Sequence, residues 1–235
     1  MDAMDKTPAK PKHLGKPGAV RYGRPPRERA GEVEARILEA ARHLFLEHGL
    51  AGTSMEEIAT RARAGKPTIY ARFPSKEALF TAVVMRNVAT NVARFEASMP
   101  AAGTMEERLI SMGAAVLHWV LVSDTVELLR LAIAEGRRFP DLAIRVHLMA
   151  RERGGEGVAR VLGEVAHADD LGSLPAFAPE RLATTTRFFL DLVLFPLLMR
   201  ALLGEKLKAL CAEIGPHVAR SVAFFLAACR NDGVS

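Results

Sequence analysis

The chain has 235 residues, 49% of them hydrophobic and 25% charged, which suits one small and one larger domain with a real core and excludes a wholly disordered protein. Two cysteines, no run of 18 apolar residues and no apolar segment behind the charged N-terminus argue against a disulfide scaffold, a membrane span and a secretory signal, so a cytoplasmic location is expected. The net charge is +5, and residues 1 to 31 alone hold eight Lys and Arg against three acids, so the whole excess sits in one tail.

Residues 1 to 30 carry five prolines and little that could form a core, which predicts a disordered basic arm. Within it, Tyr22-Gly23-Arg24-Pro25-Pro26 places Arg24 where an extended chain can enter a narrow minor groove. A charged tail that only aids solubility is the equal alternative. From Glu32 to His48, Ile37, Leu38, Ala41, Leu44 and Phe45 recur at helical spacing, and Gly49 is the expected stop.

Ser54 followed by Glu57 is a capping box for a helix through Ala62, with Met55, Ile58 and Ala59 inward. Gly65 is expected to break it. Lys66-Pro67 then opens a short helix that Pro74 limits to Phe73, because proline is tolerated in a first turn and not beyond. Ser75 caps the next helix, from Lys76 to Ser98. Two short helices joined by a tight turn make a helix-turn-helix. On the second, Ile69 and Phe73 lie four apart on one face. The opposite face offers Lys66, Thr68, Tyr70, Ala71 and Arg72, donors and a small residue suited to a major groove.

The run from Ile58 to Leu79, I-A-x-x-A-x-x-x-K-P-T-I-Y-x-x-F-x-S-K-x-x-L, resembles the DNA-binding domain of TetR/AcrR-family transcriptional regulators. The resemblance implies an all-α fold: a three-helix helix-turn-helix domain over residues 31 to 80 and a larger helical domain, residues 81 to 235, for effector binding and dimerisation. It also implies that Tyr70 and Lys76 contact phosphates, that Lys66, Pro67, Thr68 and Arg72 can face bases, and that Ser54 belongs to the DNA-binding set. The family usually has Gly where this chain has Arg63 and a small polar residue where it has Gly65. Either Arg63 takes an unusual backbone angle, with a phosphate contact as a further use, or the freedom of glycine has moved to Gly65.

Further along, Thr104 with Glu107 is a second capping box, starting a helix to about Leu121. Ser123 begins the next, to Gly136. Phe139-Pro140 opens a third, expected to be interrupted at Gly154-Gly155 and to resume weakly from Glu156 to Ala168, before a loop from Asp169 to Phe177. Pro179 is expected to start a helix running to Leu203. A last helix ends near Cys229, its start obscured by Gly215-Pro216. Cys211 and Cys229 read as small core residues.

The helix over residues 180 to 203 is apolar on more than one face, so one face wants a partner outside its own core. Phe189, Leu192, Val193, Pro196, Leu197 and Arg200, with Val218, Val222 and Phe225 of the last helix, are the expected interface of a homodimer. Such a dimer would hold two recognition helices one DNA turn apart, about 34 to 36 Å, on a near-palindromic double-stranded operator. His118, Trp119, Phe139, His147, Met149, Phe177, Phe188 and Asp191 are candidates to line a pocket for a small apolar or aromatic effector. No cofactor is implied. His167 beside Asp169-Asp170 lacks the helical spacing of a metal site, and no phosphate loop or nucleophile motif occurs. The expected function is a ligand-responsive repressor and not an enzyme; an effector-independent architectural DNA-binding protein is the alternative.

Overall fold

The computed structural model describes residues 27–98, 103–168 and 174–230, and among these there are helices and turns and no strand. The elements are α1 (Arg27–Gly52), α2 (Met55–Ala62), α3 (Lys66–Tyr70), α4 (Lys76–Ser98), α5 (Met105–Val120), α6 (Ser123–Glu135), α7 (Pro140–Ala168), α8 (Leu182–Leu202) and α9 (Leu207–Arg230), with a 3₁₀ turn at Pro175–Phe177. The arm through residue 26, with Arg24, lies outside the described residues, as do Asp169 and Asp170.

Two apolar clusters organise the chain. The first gathers α1 to α3 and the first half of α4 around Ile37, Phe45, Ile58, Ile69, Leu79 and Phe80, with Phe45 and Phe80 meeting edge to face at 5.5 Å. It also takes in Leu128 and Ala132 of α6 and Leu142 and Val146 of α7. The second lies among α5, α7, α8 and α9 around Leu109, Met112, Leu117, Leu162, Phe189, Val193, Val218 and Phe225.

Several helices differ from their expected bounds. α1 starts at Arg27, five residues before Glu32, because the stretch after Pro25-Pro26 is rich in helix formers and nothing stops it. Its break comes at Gly49, which has φ 71 and ψ 174, and Leu50 to Gly52 form a short continuation. The buried Thr53 hydroxyl pins this kink by reaching the carbonyls of Leu44 (3.0 Å) and Gly49 (2.8 Å). α7 runs unbroken through Gly154-Gly155. Two glycines cost a helix roughly 0.5–1 kcal/mol each, and the burial of Leu142, Val146, Val158, Val161 and Leu162 along its length outweighs that. α8 starts at Leu182 because residues 178 to 181 form a separate turn, Arg181 N–H to Ala178 O at 2.9 Å.

Both late prolines lie inside helices, Pro196 in α8 and Pro216 in α9. Pro196 lacks the N–H that would bind the Leu192 carbonyl and crowds the turn before it. α9 answers from across the interface: Ser221 Oγ lies 3.5 Å from Leu192 O, and His217 Nε2 donates to Val193 O at 2.8 Å. At the far end of α8, Arg130 of α6 caps the last carbonyls, Ala201 O at 2.5 Å and Leu202 O at 3.2 Å.

α8 and α9 are long and apolar enough to cross a membrane by length and composition. Here they pack on each other and on α5, and much of the surplus apolar surface of α8 faces outward. Close packing at this junction depends on Gly113: a Cβ there would stand 2.8 Å from Val218 Cγ1 and 3.2 Å from Val193 Cγ1. Gly113→Ala is therefore expected to lower stability by about 1–3 kcal/mol. Gly154→Ala, which meets nothing within 4 Å, is expected to raise it by roughly 0.5–1 kcal/mol. Urea unfolding of both variants checks the contrast.

Candidate nucleic-acid interface

α2 begins on the capping box read from Ser54 and Glu57. Ser54 Oγ accepts from Glu57 N–H at 3.1 Å, and the Glu57 carboxylate accepts from Ser54 N–H at 2.8 Å and from Ser54 O–H at 2.9 Å. The Ser54 hydroxyl is thus committed to the cap in the free protein. These hydrogen bonds, the backbone one first, hold the Glu57 carboxyl below the usual carboxylate range.

The turn after α2 resolves the two readings left by the sequence. Arg63 takes the left-handed conformation, φ 49 and ψ 45, while Gly65 sits extended at φ −67 and ψ 142 as the N-cap of α3. The helix stop is therefore Arg63, not Gly65. Ala64 N–H reaches Ala59 O at 3.0 Å, which closes the α2 terminus. Arg36 of α1 adds Nε to Ala62 O at 3.3 Å.

α3 has five residues, too few to hold itself. It is fixed by Ile69, fully buried, and by Phe73 just beyond it, also buried. Gly65 O accepts the first two N–H groups, from Thr68 at 2.9 Å and Ile69 at 3.2 Å. Pro67 in the first turn needs no acceptor. With those two side chains inward, Lys66, Pro67, Tyr70 and Ala71 are exposed, and Thr68 and Arg72 are half-exposed. Lys66 forms an ion pair with Glu56 at 3.1 Å, and the hydrogen bond from Lys66 lowers the Glu56 carboxyl. Arg72 Nη1 approaches Thr68 O at 3.4 Å.

Lys76, in the first turn of α4, donates to Thr53 O at 2.7 Å and approaches Ala51 O at 3.4 Å. It thereby draws the start of α4 against the segment that leads into α2. Ser75 Oγ accepts from Ala78 N–H at 3.1 Å. The N-termini of α2 and α4, both partly positive, sit at this end of the unit, next to the outward face of α3. Thr53 and Arg36 escaped the sequence reading. Thr53 stands four residues after Gly49, a spacing that suits a back-bond to the kink, whereas no local signal marks Arg36.

Two family descriptions match this chain: "Bacterial regulatory proteins, tetR family" over residues 37–83 and "AefR-like transcriptional repressor, C-terminal domain" over residues 107–231. The chain belongs to the TetR family of transcriptional regulators. A TetR-family regulator from Mesorhizobium loti has the same fold, with TM-score 0.70, 27% identity, and coverage of 85% of this chain and 98% of that one. The Flavonoid-responsive Regulator FrrA is similar over 84% of this chain and 97% of its own, at 29% identity and TM-score 0.60. The transcriptional repressor ComR of Escherichia coli is 34% identical over 89 residues, 37% of this chain and 42% of ComR. The transcriptional activator FasR of Mycolicibacterium smegmatis is 39% identical over 71 residues, 30% of this chain and 31% of FasR. The chain thus matches under half the length of these curated relatives.

In this TetR-family regulator the candidate pocket residues do not line one cavity. Phe139 packs on the first cluster, with the Arg138 guanidinium 5.2 Å from its ring centre. Trp119 meets Phe95 edge to face at 5.5 Å in the second cluster, and Phe177 meets Phe225 there at 6.3 Å. His118, His147, Phe188 and Asp191 are exposed, Asp191 with Arg151 at 3.6 Å, and Met149 is half-buried. An open groove between α4 and α7 is lined instead by Val92, Ala93, Glu96, Arg153, Gly157 and Arg160.

The nine candidate interface residues divide. Phe189, Val193, Leu197, Val218, Val222 and Phe225 are buried inside the protomer, against α5 and between α8 and α9. Leu192 and Pro196 face outward. Arg200 binds Glu205 (2.8 and 2.5 Å) and Glu213 (2.7 and 2.8 Å), which lowers both carboxyls and ties the ends of α8 and α9 together. The outward apolar face comprises Phe188, Leu192, Phe195 and Met199 on α8, Leu203 just past its end, and Phe224 on α9. A helix apolar all round gives no phase by itself, and the packing of α5 and α9 decides which face is inside.

Two expectations follow from the turn and the cap. Left-handed φ costs a residue with a Cβ roughly 1–2 kcal/mol, so Arg63→Gly is expected to stabilise the protein by up to about 1 kcal/mol and Arg63→Val to destabilise it, as read by urea midpoints. Because folding depresses the Glu57 carboxyl, its stabilisation is complete above its unfolded value near 4.5 and is lost as pH falls through the lower folded value. Glu57→Gln is expected to flatten that acid limb in Tm measured against pH.

Proposed function

We propose that this TetR-family regulator is a cytoplasmic, ligand-responsive repressor that binds a near-palindromic operator as a homodimer and leaves it when a small effector binds. The observation that carries this reading is the outward face of α3, held by two buried apolar side chains beside the positive ends of α2 and α4. On this reading Lys66, Pro67, Thr68 and Arg72 face bases in the major groove, and Tyr70, Lys76, Ser54 and Arg63 meet phosphates. Lys66 would exchange its exposed pairing with Glu56 for the DNA. Arg24, in the arm, adds a minor-groove contact. Residues 31 to 80 act as the DNA-binding domain and residues 81 to 235 as the effector-binding and dimerisation domain.

The outward apolar stripe of α8, with Phe224 and the small residues Ala212, Pro216, Ala219, Ala223 and Ala227 on the exposed side of α9, supports a second copy as the partner. It needs no membrane. The kinship with a regulator named flavonoid-responsive supports a small apolar or aromatic effector. α4 runs from the DNA-binding unit to its packing on α7, so an effector that favours a different spacing of these helices would alter the distance between recognition helices.

Selection of bound sequences from random duplex DNA tests the function, repeated after deletion of residues 1 to 26. A palindrome with half-sites about one helical turn apart is the expected result; enrichment of A·T-rich DNA without symmetry, abolished by the deletion, would transfer the assignment to an architectural protein. With the selected operator, Tyr70→Phe and Lys76→Ala are expected to weaken binding to all sequences alike, whereas Lys66→Ala, Thr68→Ala and Arg72→Ala change base preference by about 1–3 kcal/mol. Phe195→Glu with Phe224→Glu is expected to give a monomer in sedimentation. A dimer that survives both charges would place the interface elsewhere.

A further inference from the structure

The turn between α6 and α7 carries two arginines that the helix-turn-helix does not use. Arg137 and Arg138 are exposed, and neither makes an ion pair or side-chain hydrogen bond among the described residues; the Arg138 guanidinium rests over the Phe139 ring at 5.2 Å, a contact that leaves its N–H groups open. The turn itself is fixed, with Arg138 N–H and Phe139 N–H both on Glu135 O at 2.9 and 2.7 Å. Phe139 and Leu142 pack on the same apolar cluster that holds α3, so the two arginines ride on the body that carries the recognition helix.

The register of α6 aims them. Asp124 at its start pairs with Arg42 of α1. Seven residues on in both helices, Leu131 Cδ1 lies 3.9 Å from where a Cβ on Gly49 would stand. α6 therefore runs parallel to α1, toward the end of α1 that leads to Thr53, Ser54 and the Lys76 contact. From Leu131, α6 advances about 6 Å at 1.5 Å per residue to its end at Glu135; α7 then runs alongside α4 in the same direction, Gly157 against Val92 and Arg160 on Glu96, so the turn before α7 lies toward the N-terminal end of α4. Arg145 adds a third unpaired positive charge, and the local acids, Glu135 and Asp141, form no ion pair with any of the three.

We infer that Arg137 and Arg138 form a second contact with the DNA phosphate backbone, flanking the half-site that α3 reads. The inference rests on the DNA-binding reading above. The contact would add affinity without base preference, because phosphates carry no sequence information. It would also make operator affinity sensitive to the seating of α6 on α1.

The test is a salt titration of full-length protein on the selected operator in a duplex extended ten base pairs or so on each side, and on random duplex of equal length. Removing one protein–phosphate interaction lowers the slope of log K against log salt by about 0.9. For a dimer, Arg137→Ala with Arg138→Ala is expected to lower the slope by about 2 if one arginine per protomer engages and by about 4 if both do, equally on both DNAs, with the selected sequence unchanged. Arg153→Ala, exposed farther along α7, controls for bulk charge. An unchanged slope in the double variant, or an equal change in Arg153→Ala, overturns the proposal while leaving the helix-turn-helix assignment standing. Failure of the wild-type chain to select any sequence would overturn both.

Discussion

A five-residue helix cannot exist alone. Nucleation fixes three residues for one hydrogen bond, and α3 ends almost as soon as it has been nucleated. Its persistence rests on burial of Ile69 and Phe73 in the cluster of α1, α2 and α4, where a fully buried side chain of this size contributes about 1.5–3 kcal/mol. The same burial decides which way the remaining side chains point, so one packing constraint both builds the helix and presents its reading face.

Around that anchor the protein uses local devices that each satisfy a backbone end. The capping box starts α2, Arg63 ends it in the left-handed region, and Gly65 starts α3. Thr53 pins the kink at Gly49, and Lys76 ties the beginning of α4 to the same segment. Charge follows the same logic. Glu56 and Glu57 lie at the positive start of α2 and stay ionised there, so the donors left over on the outer surface are on α3 and beside it.

The larger half solves a different problem, an excess of apolar surface on two long helices. α8 carries Pro196 in its interior, which leaves the Leu192 carbonyl without its helical N–H; Ser221 of α9 lies against that carbonyl and His217 binds the next one, Val193 O. Gly113 lets α5 come close enough to cover the junction, and Arg130 of α6 closes the end of α8. α6 thus touches α1 at one end through Asp124 and α8 at the other side through Arg130. It is a packed connection between the unit that carries α3 and the helices with the exposed stripe, so a shift at either end has a short mechanical path to the other.

What the sequence by itself determined are the features set within a few residues: both capping boxes, the Lys66-Pro67 start of α3 (which ends at Tyr70, before the limit that Pro74 sets), the inward pair Ile69 and Phe73, and the helical class of the chain. These depend on spacing along one chain, and local hydrogen bonds enforce them wherever the segment lies. Only the tertiary structure decided between Arg63 and Gly65 as the stop of α2, since the choice depends on how α1 and α3 close over that turn. Tertiary packing likewise carried α7 across Gly154-Gly155 and turned Phe189, Val193, Leu197, Val218, Val222 and Phe225 inward. It scattered the aromatic and histidine candidates over two cores and the surface. A helix apolar on every side has no preferred phase, and side chains far apart in sequence meet only when a neighbouring helix selects the face it covers.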